Sequence, residues 1–113
     1  MATNMRRTKI HKFTSTGAGN IAFTVSPGYT FRLVGSELHL SAAGAANSMT
    51  ITRDSGDGAA YDTLVYTVDL SAITDDIKTW DNLYFDSGDS LVVAWTNGSS
   101  RTYGLTIRVE ELY

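Results

Sequence analysis

Short runs of alternating apolar and polar residues constrain the fold of this chain more than any other feature. The runs IAFTV (21–25), LVYTVDL (64–70), LVVAW (91–95) and YGLTIRV (103–109) place an apolar or aromatic residue at every second position. Side chains of a strand point alternately to its two faces, so this period predicts strands with one buried face. Clusters of Gly, Asn, Asp and Ser separate the runs and predict the turns.

The number and spacing of the runs predict seven or eight antiparallel strands. A chain of 113 residues suits one domain. Two sheets that each have one apolar face bury both faces by packing against each other. We therefore expect an all-β fold, a single jelly-roll-like β-sandwich, whose strand order the sequence leaves open.

Local departures from the alternation carry predictions of their own. Leu33 and Leu38 have opposite parity, which predicts a bulge or sharp bend near 35–36, because a shift of one residue turns every side chain over. The clusters GAGN (17–20) and NGSS (97–100) predict hairpin turns.

The segment 71–80 interrupts the alternation. Its apolar residues at helical spacing are Ile73, Ile77 and Trp80. Thr74, followed by Asp75 and Asp76, resembles a capped helix N-terminus with acids in the first turn. We expect one or two helical turns here, capping one end of the sandwich.

Charge divides the chain into two unequal parts. The basic residues of 1–12 are Arg6, Arg7, Lys9 and Lys12, and no acid accompanies them, so this part carries +4 and the rest carries −7. We predict a basic N-terminal arm, 1–12, before a sandwich domain, 13–113. Such polarity can orient a subunit against a neighbour, although a solvated terminus is the alternative. Nucleic acid is not an expected partner, because the acidic body would repel phosphates.

The composition excludes several classes of protein. Cysteine is absent, which rules out disulfides, zinc ribbons and thiol nucleophiles. The longest apolar run, 91–95, is far too short to cross a bilayer, and the N-terminus has no apolar segment typical of a signal peptide. We expect a soluble chain made in the cytoplasm, without a membrane partner.

No constellation of residues predicts catalysis or a cofactor. The two histidines, His11 and His39, have no clustered partners along the sequence, and no G-x-S-x-G motif is present. The glycine-rich 17–22 precedes a strand rather than the helix that a dinucleotide site needs. We therefore expect that the chain is not an enzyme.

The tetrapeptide Asp-Ser-Gly-Asp occurs at 54–57 and again at 86–89. The carboxylates that could bind calcium are Asp54, Asp57, Asp86 and Asp89. Asp and Gly also suit β-turns without an ion, and the spacing differs from that of an EF-hand loop. Turns are therefore the preferred interpretation and calcium the alternative.

Exposed aromatic residues are candidates for partner contacts. Trp95 has the parity of Leu91 and belongs to the core, whereas Tyr61 and Trp80 fall in predicted loops and Tyr113 ends the chain. The predicted partner-binding set is Arg6, Arg7, Lys9, Lys12, Tyr61, Trp80 and Tyr113.

Several segments together resemble small structural proteins of tailed bacteriophages. They are PGYTFRL (27–33), ELHLSA (37–42), SMTIT (48–52), GAAYDT (58–63), SGDSLVV (87–93) and TYGLTI (102–107). The resemblance covers roughly residues 20–112 and lies in the pattern, because no diagnostic motif carries it.

The resemblance implies a β-sandwich virion component that decorates or cements the capsid. Its partner would be the major capsid protein or another virion protein, with self-association, as a trimer if it sits on a symmetry axis. It implies no catalytic residue. Two alternatives stay open: a tail or fibre module of a phage, and a carbohydrate-binding jelly roll that would use Trp80 and Tyr61.

Overall fold

A computed structural model describes residues 9–112 and contains nine strands. They are β1 Lys9–Gly17, β2 Ile21–Val25, β3 Phe31–Leu40, β4 Ser48–Asp54, β5 Thr63–Asp69, β6 Asp75–Thr79, β7 Tyr84–Phe85, β8 Ser90–Trp95 and β9 Tyr103–Glu111. A 3-10 turn, Ala59–Tyr61, precedes β5. The count exceeds the predicted seven or eight, because the alternation pattern predicts neither β1 nor β6.

The strands form two antiparallel sheets that pack face to face. The first sheet has the order β1-β9-β3-β6, with β7 also paired to β3, and the second has the order β2-β8-β4-β5. Most connections cross from one sheet to the other, as in the double-sheet jelly roll. The predicted all-β sandwich is confirmed. Among the described residues, no helix is long and apolar enough to span a membrane.

The core lies between the sheets and is built from the alternating positions of most strands. The largest fully buried side chains include Phe31, Phe85, Ile21, Leu33, Leu40, Met49, Ile51, Leu91, Leu105 and Ile107. Trp95 is buried as predicted, and its indole N–H donates to the Ala46 carbonyl at 3.3 Å. The runs 21–25, 91–95 and 103–109 therefore owe their period to this shared interior.

A β-bulge in β3 resolves the parity change between Leu33 and Leu38. The pairing of β3 with β9 shifts between Leu33 and Gly35, so Val34 is the extra residue. Because of this insertion, Leu33 and Leu38 both point into the core. The predicted bulge is confirmed, one residue earlier than expected.

A second bulge changes the face of one predicted core residue. Ile51 pairs with Tyr66 and Thr52 pairs with Leu64, which leaves Val65 as the extra residue in β5. Leu64 is therefore turned outward and is 56% exposed, although its parity in the sequence matches that of Tyr66.

The segment 75–79 is a strand, so the predicted helical turns are wrong. β6 pairs antiparallel with β3, from Gly35 opposite Thr79 to His39 opposite Asp75. Backbone groups that a short helix would leave unpaired find partners in this ladder, so tertiary pairing overrides the local spacing. Ile77 consequently faces solvent and is 70% exposed.

Both predicted hairpins instead connect the two sheets. The connection 18–20 joins β1 to β2, and 96–102 joins β8 to β9. Asn97, 4% exposed, joins these connections: its Nδ2 group donates to the carbonyls of Gly19 and Arg101, and its backbone N–H donates to Asn20 Oδ1 at 2.8 Å. A sheet-crossing loop lacks ladder hydrogen bonds, and the Asn97 amide supplies them.

The predicted boundary between arm and sandwich falls inside β1. This strand pairs with β9 along its whole length, from Lys9 opposite Glu111 to Gly17 opposite Tyr103. Lys9 and Lys12 therefore belong to the first sheet. Only 1–8 of the predicted arm lies outside the described residues.

Candidate interaction surfaces

The outer faces of the two sheets differ in chemistry. On the second sheet the outward positions between the strand ends are uncharged: Ala22, Thr24, Thr50, Thr52, Leu64, Thr67, Val92 and Ala94. On the first sheet the outward positions include six charged residues, which stand among uncharged ones such as Ile10, Ile77 and Thr106: Lys12, Arg32, Glu37, Asp75, Arg108 and Glu110. Charged pairs such as Arg108 with Glu37 cross the first sheet, so only the second offers a neutral β-branched face.

The β1 edge carries the basic residues that the structure describes. Lys9 and Lys12 are exposed, and Ile10 between them is 51% exposed on the outer face. On the inner side, His11 Nε2 lies 2.7 Å from Glu111 Oε1, which ties β1 to β9. Two of the predicted contact residues thus stand on a paired strand, where their backbone is held. Arg6, Arg7 and Tyr113 lie outside the described residues.

At the opposite edge of the first sheet, an aromatic cluster links it to the second sheet. The Tyr66 hydroxyl of β5 donates to the carboxylate of Asp76 in β6, 3.1 and 3.0 Å from its two oxygens. Trp80 packs edge-on against Tyr66 at 5.6 Å, and Lys78 Nζ lies within 6 Å of both rings. The pKa of Tyr66 is raised to about 12. Burial is the largest cause, followed by the hydrogen bond to Asp76 and the negative charge of Asp76.

The two predicted aromatic contact residues are placed differently. Trp80 is half-buried in this cluster, which makes it part of the sandwich edge rather than a free loop residue. Tyr61 ends the 3-10 turn Ala59–Tyr61 and is 64% exposed. Tyr61 alone of the pair therefore displays an aromatic ring to solvent.

A shallow groove of about 380 Å³ crosses the outer face of the first sheet. Gly104 floors it with open space above its Cα, and His39 and Asp75 stand at one side, with Nδ1 2.6 Å from Oδ1. This hydrogen bond, with a second from Thr74, holds the pKa of Asp75 below its usual value. Both members of the pair are largely exposed, so their interaction contributes little to stability.

The two Asp-Ser-Gly-Asp turns pack against each other at one end of the sandwich. A Cβ on Gly56 would meet the carbonyl oxygen of Gly88 at 2.8 Å, so only glycine permits this approach. Asp89, 7% exposed, accepts hydrogen bonds from the N–H groups of Gly56 and Asp86 at 3.0 and 2.9 Å. Arg53 Nε lies 3.7 Å from the same carboxylate, with its guanidinium over the Phe85 ring.

This geometry assigns Asp89 to the support of the turns. The other three carboxylates of the calcium alternative are exposed. Within 9–112 no group of three or more His, Asp or Glu side chains is arranged to hold a metal ion.

Sequence patterns do not identify the exposed apolar residues of the described surface. Ile10, Ile77 and Tyr84 are at least half exposed on the first sheet. Ile10 falls in the predicted basic arm, and its exposure follows from β1, in which the alternate residues His11 and Phe13 point inward.

These surfaces belong to a jelly-roll β-sandwich with two chemically distinct faces. The sequence matches no protein-family model and no curated protein. Among solved structures it is similar to the crystal structure of the Yersinia pseudotuberculosis-derived mitogen, with 14% identity, a TM-score of 0.44, and coverage of 96% of this chain and 88% of that one. A similarity of this size says nothing about what the chain does.

Proposed function

We propose that this chain is a non-enzymatic structural protein of a virion, a capsid decoration or cement protein made in the host cytoplasm. The observation that carries the proposal is the basic β1 edge. Lys9 and Lys12 project from a strand whose backbone is fixed by β9, and the first acid in the sequence is Glu37. A rigid cationic edge on an otherwise acidic body favours one docking orientation on an acidic protein surface.

The mechanism would be repeated burial of modest contacts over a symmetric shell formed by the major capsid protein. One such contact can be weak, because many copies across capsomer boundaries add their contributions. The sandwich suits this role because its strands are closed into two mutually packed sheets, and the neutral Thr-rich face offers a second, uncharged contact area.

Add-back to shells tests the proposal. Particles assembled without the chain would be mixed with purified protein, and bound copies counted after sedimentation. The double variant Lys9→Gln, Lys12→Gln is expected to bind about tenfold more weakly at low salt, because it removes the charges that steer docking. The control Ala45→Glu, Ser99→Glu makes the same change in net charge at exposed loop positions and is expected to bind like the parent.

Cryo-electron microscopy of the intact particle separates the alternatives. Density on the outer shell supports a decoration protein, whereas density at the tail would assign the chain to a tail or fibre module. Absence from purified particles overturns the virion role. In that case retention on a glycan column, lost on Tyr61→Ala, would support a carbohydrate-binding jelly roll.

A further inference from the structure

Within 9–112 the first sheet has two edge strands with no further partner, and each displays an exposed isoleucine. Among the described residues β1 pairs only with β9, and β6 pairs only with β3. Ile10 on β1 is 51% exposed and Ile77 on β6 is 70% exposed, both on the outer face. A free edge with an exposed apolar side chain is a template for pairing with another strand.

We propose that β1 of one copy of this chain pairs with β6 of the next copy and extends the first sheet between them. All neighbours in the order β1-β9-β3-β6 are antiparallel, so β1 and β6 run in opposite directions. Copies that repeat in the same orientation across the sheet therefore bring β1 and β6 together as an antiparallel pair.

One register satisfies both the apolar and the charged residues of the outer face. Placing Ile10 opposite Ile77 brings Lys12 opposite Asp75, two residues along each strand and on the same face. The Asp75 carboxylate accepts hydrogen bonds from His39 and Thr74, but it is 62% exposed, which leaves room for a further contact from Lys12. Lysine on a free edge ordinarily discourages pairing, but opposite an aspartate the same charge selects the partner strand.

The inner side of the same register is also compatible. It places His11 opposite Asp76, and Lys9 opposite Lys78. The Lys78 ammonium lies 5.9 and 5.8 Å from the ring centres of Tyr66 and Trp80, where it is held by cation–π attraction. This position of the Lys78 ammonium lowers the electrostatic repulsion between Lys78 and Lys9, the one like-charged pair of the register.

The contact uses β1 of one copy and β6 of the next, so a copy that is paired through one of these strands can still pair with a further copy through the other. Such head-to-tail contacts close into a ring or grow into a filament, depending on the rotation between copies. The inference goes beyond the proposed function, because it concerns the purified chain and needs no shell. Since both contacts use the β1 edge, a given copy makes one or the other through that edge.

Engineered cysteines test the register, since the sequence contains none. Ile10→Cys and Ile77→Cys, mixed under mild oxidation, are expected to give a disulfide dimer, and the double variant a ladder of covalent oligomers or one closed ring. Thr24→Cys, on the outer face of the other sheet, replaces Ile77→Cys in the control mixture. Equal cross-linking in the control, or preferential Ile10→Cys homodimers, would overturn the proposal.

A charge exchange tests the selectivity independently. Lys12→Glu and Asp75→Lys are each expected to weaken self-association by up to about fivefold, the range of cross-strand charge pairs. In a mixture of the two variants, both contacts between unlike copies are attractive and only contacts between like copies are repulsive, whereas in the double variant every contact is attractive. Sedimentation equilibrium measures the association, and circular dichroism checks that each variant folds. Additive losses in the double variant, or no change in either single variant, contradict the register.

Discussion

Asp89 shows how one buried residue can organise an end of the molecule. It accepts two backbone N–H groups from two different turns, and it faces the Arg53 guanidinium at 3.7 Å. Its counterpart in the other Asp-Ser-Gly-Asp turn, Asp57, is exposed. Identical tetrapeptides therefore have different roles, because only one of the final carboxylates is turned into the protein.

Asp89→Ala is expected to lower the free energy of unfolding by about 2–4 kcal/mol, because it leaves two N–H donors and the Arg53 charge without their acceptor. Urea denaturation measures the change. Asp57→Ala, at the matching position, is expected to stay within about 0.5 kcal/mol of the parent. Equal losses in the two variants would contradict the assigned role.

At the scale of the element, β3 accommodates one extra residue. Val34 interrupts the ladder with β9, so that Leu33 before it and Leu38 after it both face the core although their parities differ. Gly35 follows because a Cβ there would lie 3.0 Å from the Lys78 carbonyl oxygen of β6. The bulge therefore serves the packing of β3 against both neighbours.

Deleting Val34 is expected to leave a cooperatively folded protein, because Leu33 and Leu38 then have the same parity and a regular β3–β9 ladder keeps both in the core. Near-ultraviolet circular dichroism and a cooperative thermal transition would report the native packing. Val34→Ala keeps the residue count and is expected to fold, with a loss of about 1 kcal/mol. Loss of the cooperative transition in the deletion variant would show that β3 needs the bulge for more than the direction of its core residues.

At the scale of the whole molecule, the Tyr66–Asp76 hydrogen bond joins the two sheets at their β5 and β6 edges. Its donor must be the neutral phenol, so the bond belongs to the protonated state of Tyr66. Burial and the Asp76 carboxylate both favour that state, so the contact between the β5 and β6 edges depends on pH.

We expect the free energy of unfolding to fall as the pH rises from about 10 to about 12. The pKa of Tyr66 is about 12 in the folded chain, against 10.0 for a tyrosine in water, so its contribution to stability is complete below pH 10 and is lost by about pH 12. Denaturation midpoints across that range measure the fall, and Tyr66→Phe is expected to reduce its slope. Tyr61→Phe, which replaces an exposed tyrosine, is the control. An unchanged slope in Tyr66→Phe would assign the loss to other groups.

The sequence by itself determined the fold class and much of the core. Alternation in 21–25, 91–95 and 103–109 predicts buried faces because side-chain direction has period two in any strand. The opposite parities of Leu33 and Leu38 located the bulge for the same reason. These are local geometric constraints, which a linear pattern records directly.

The tertiary structure alone decided which strands pair and what each surface displays. The segment 75–79 became a strand because β3 supplied its hydrogen-bond partners, and Lys9 joined a sheet because β9 lay alongside it. Asp89 was buried and Asp57 exposed although their local sequences are identical. Such outcomes depend on contacts between residues far apart in the chain, and no short-range period encodes them.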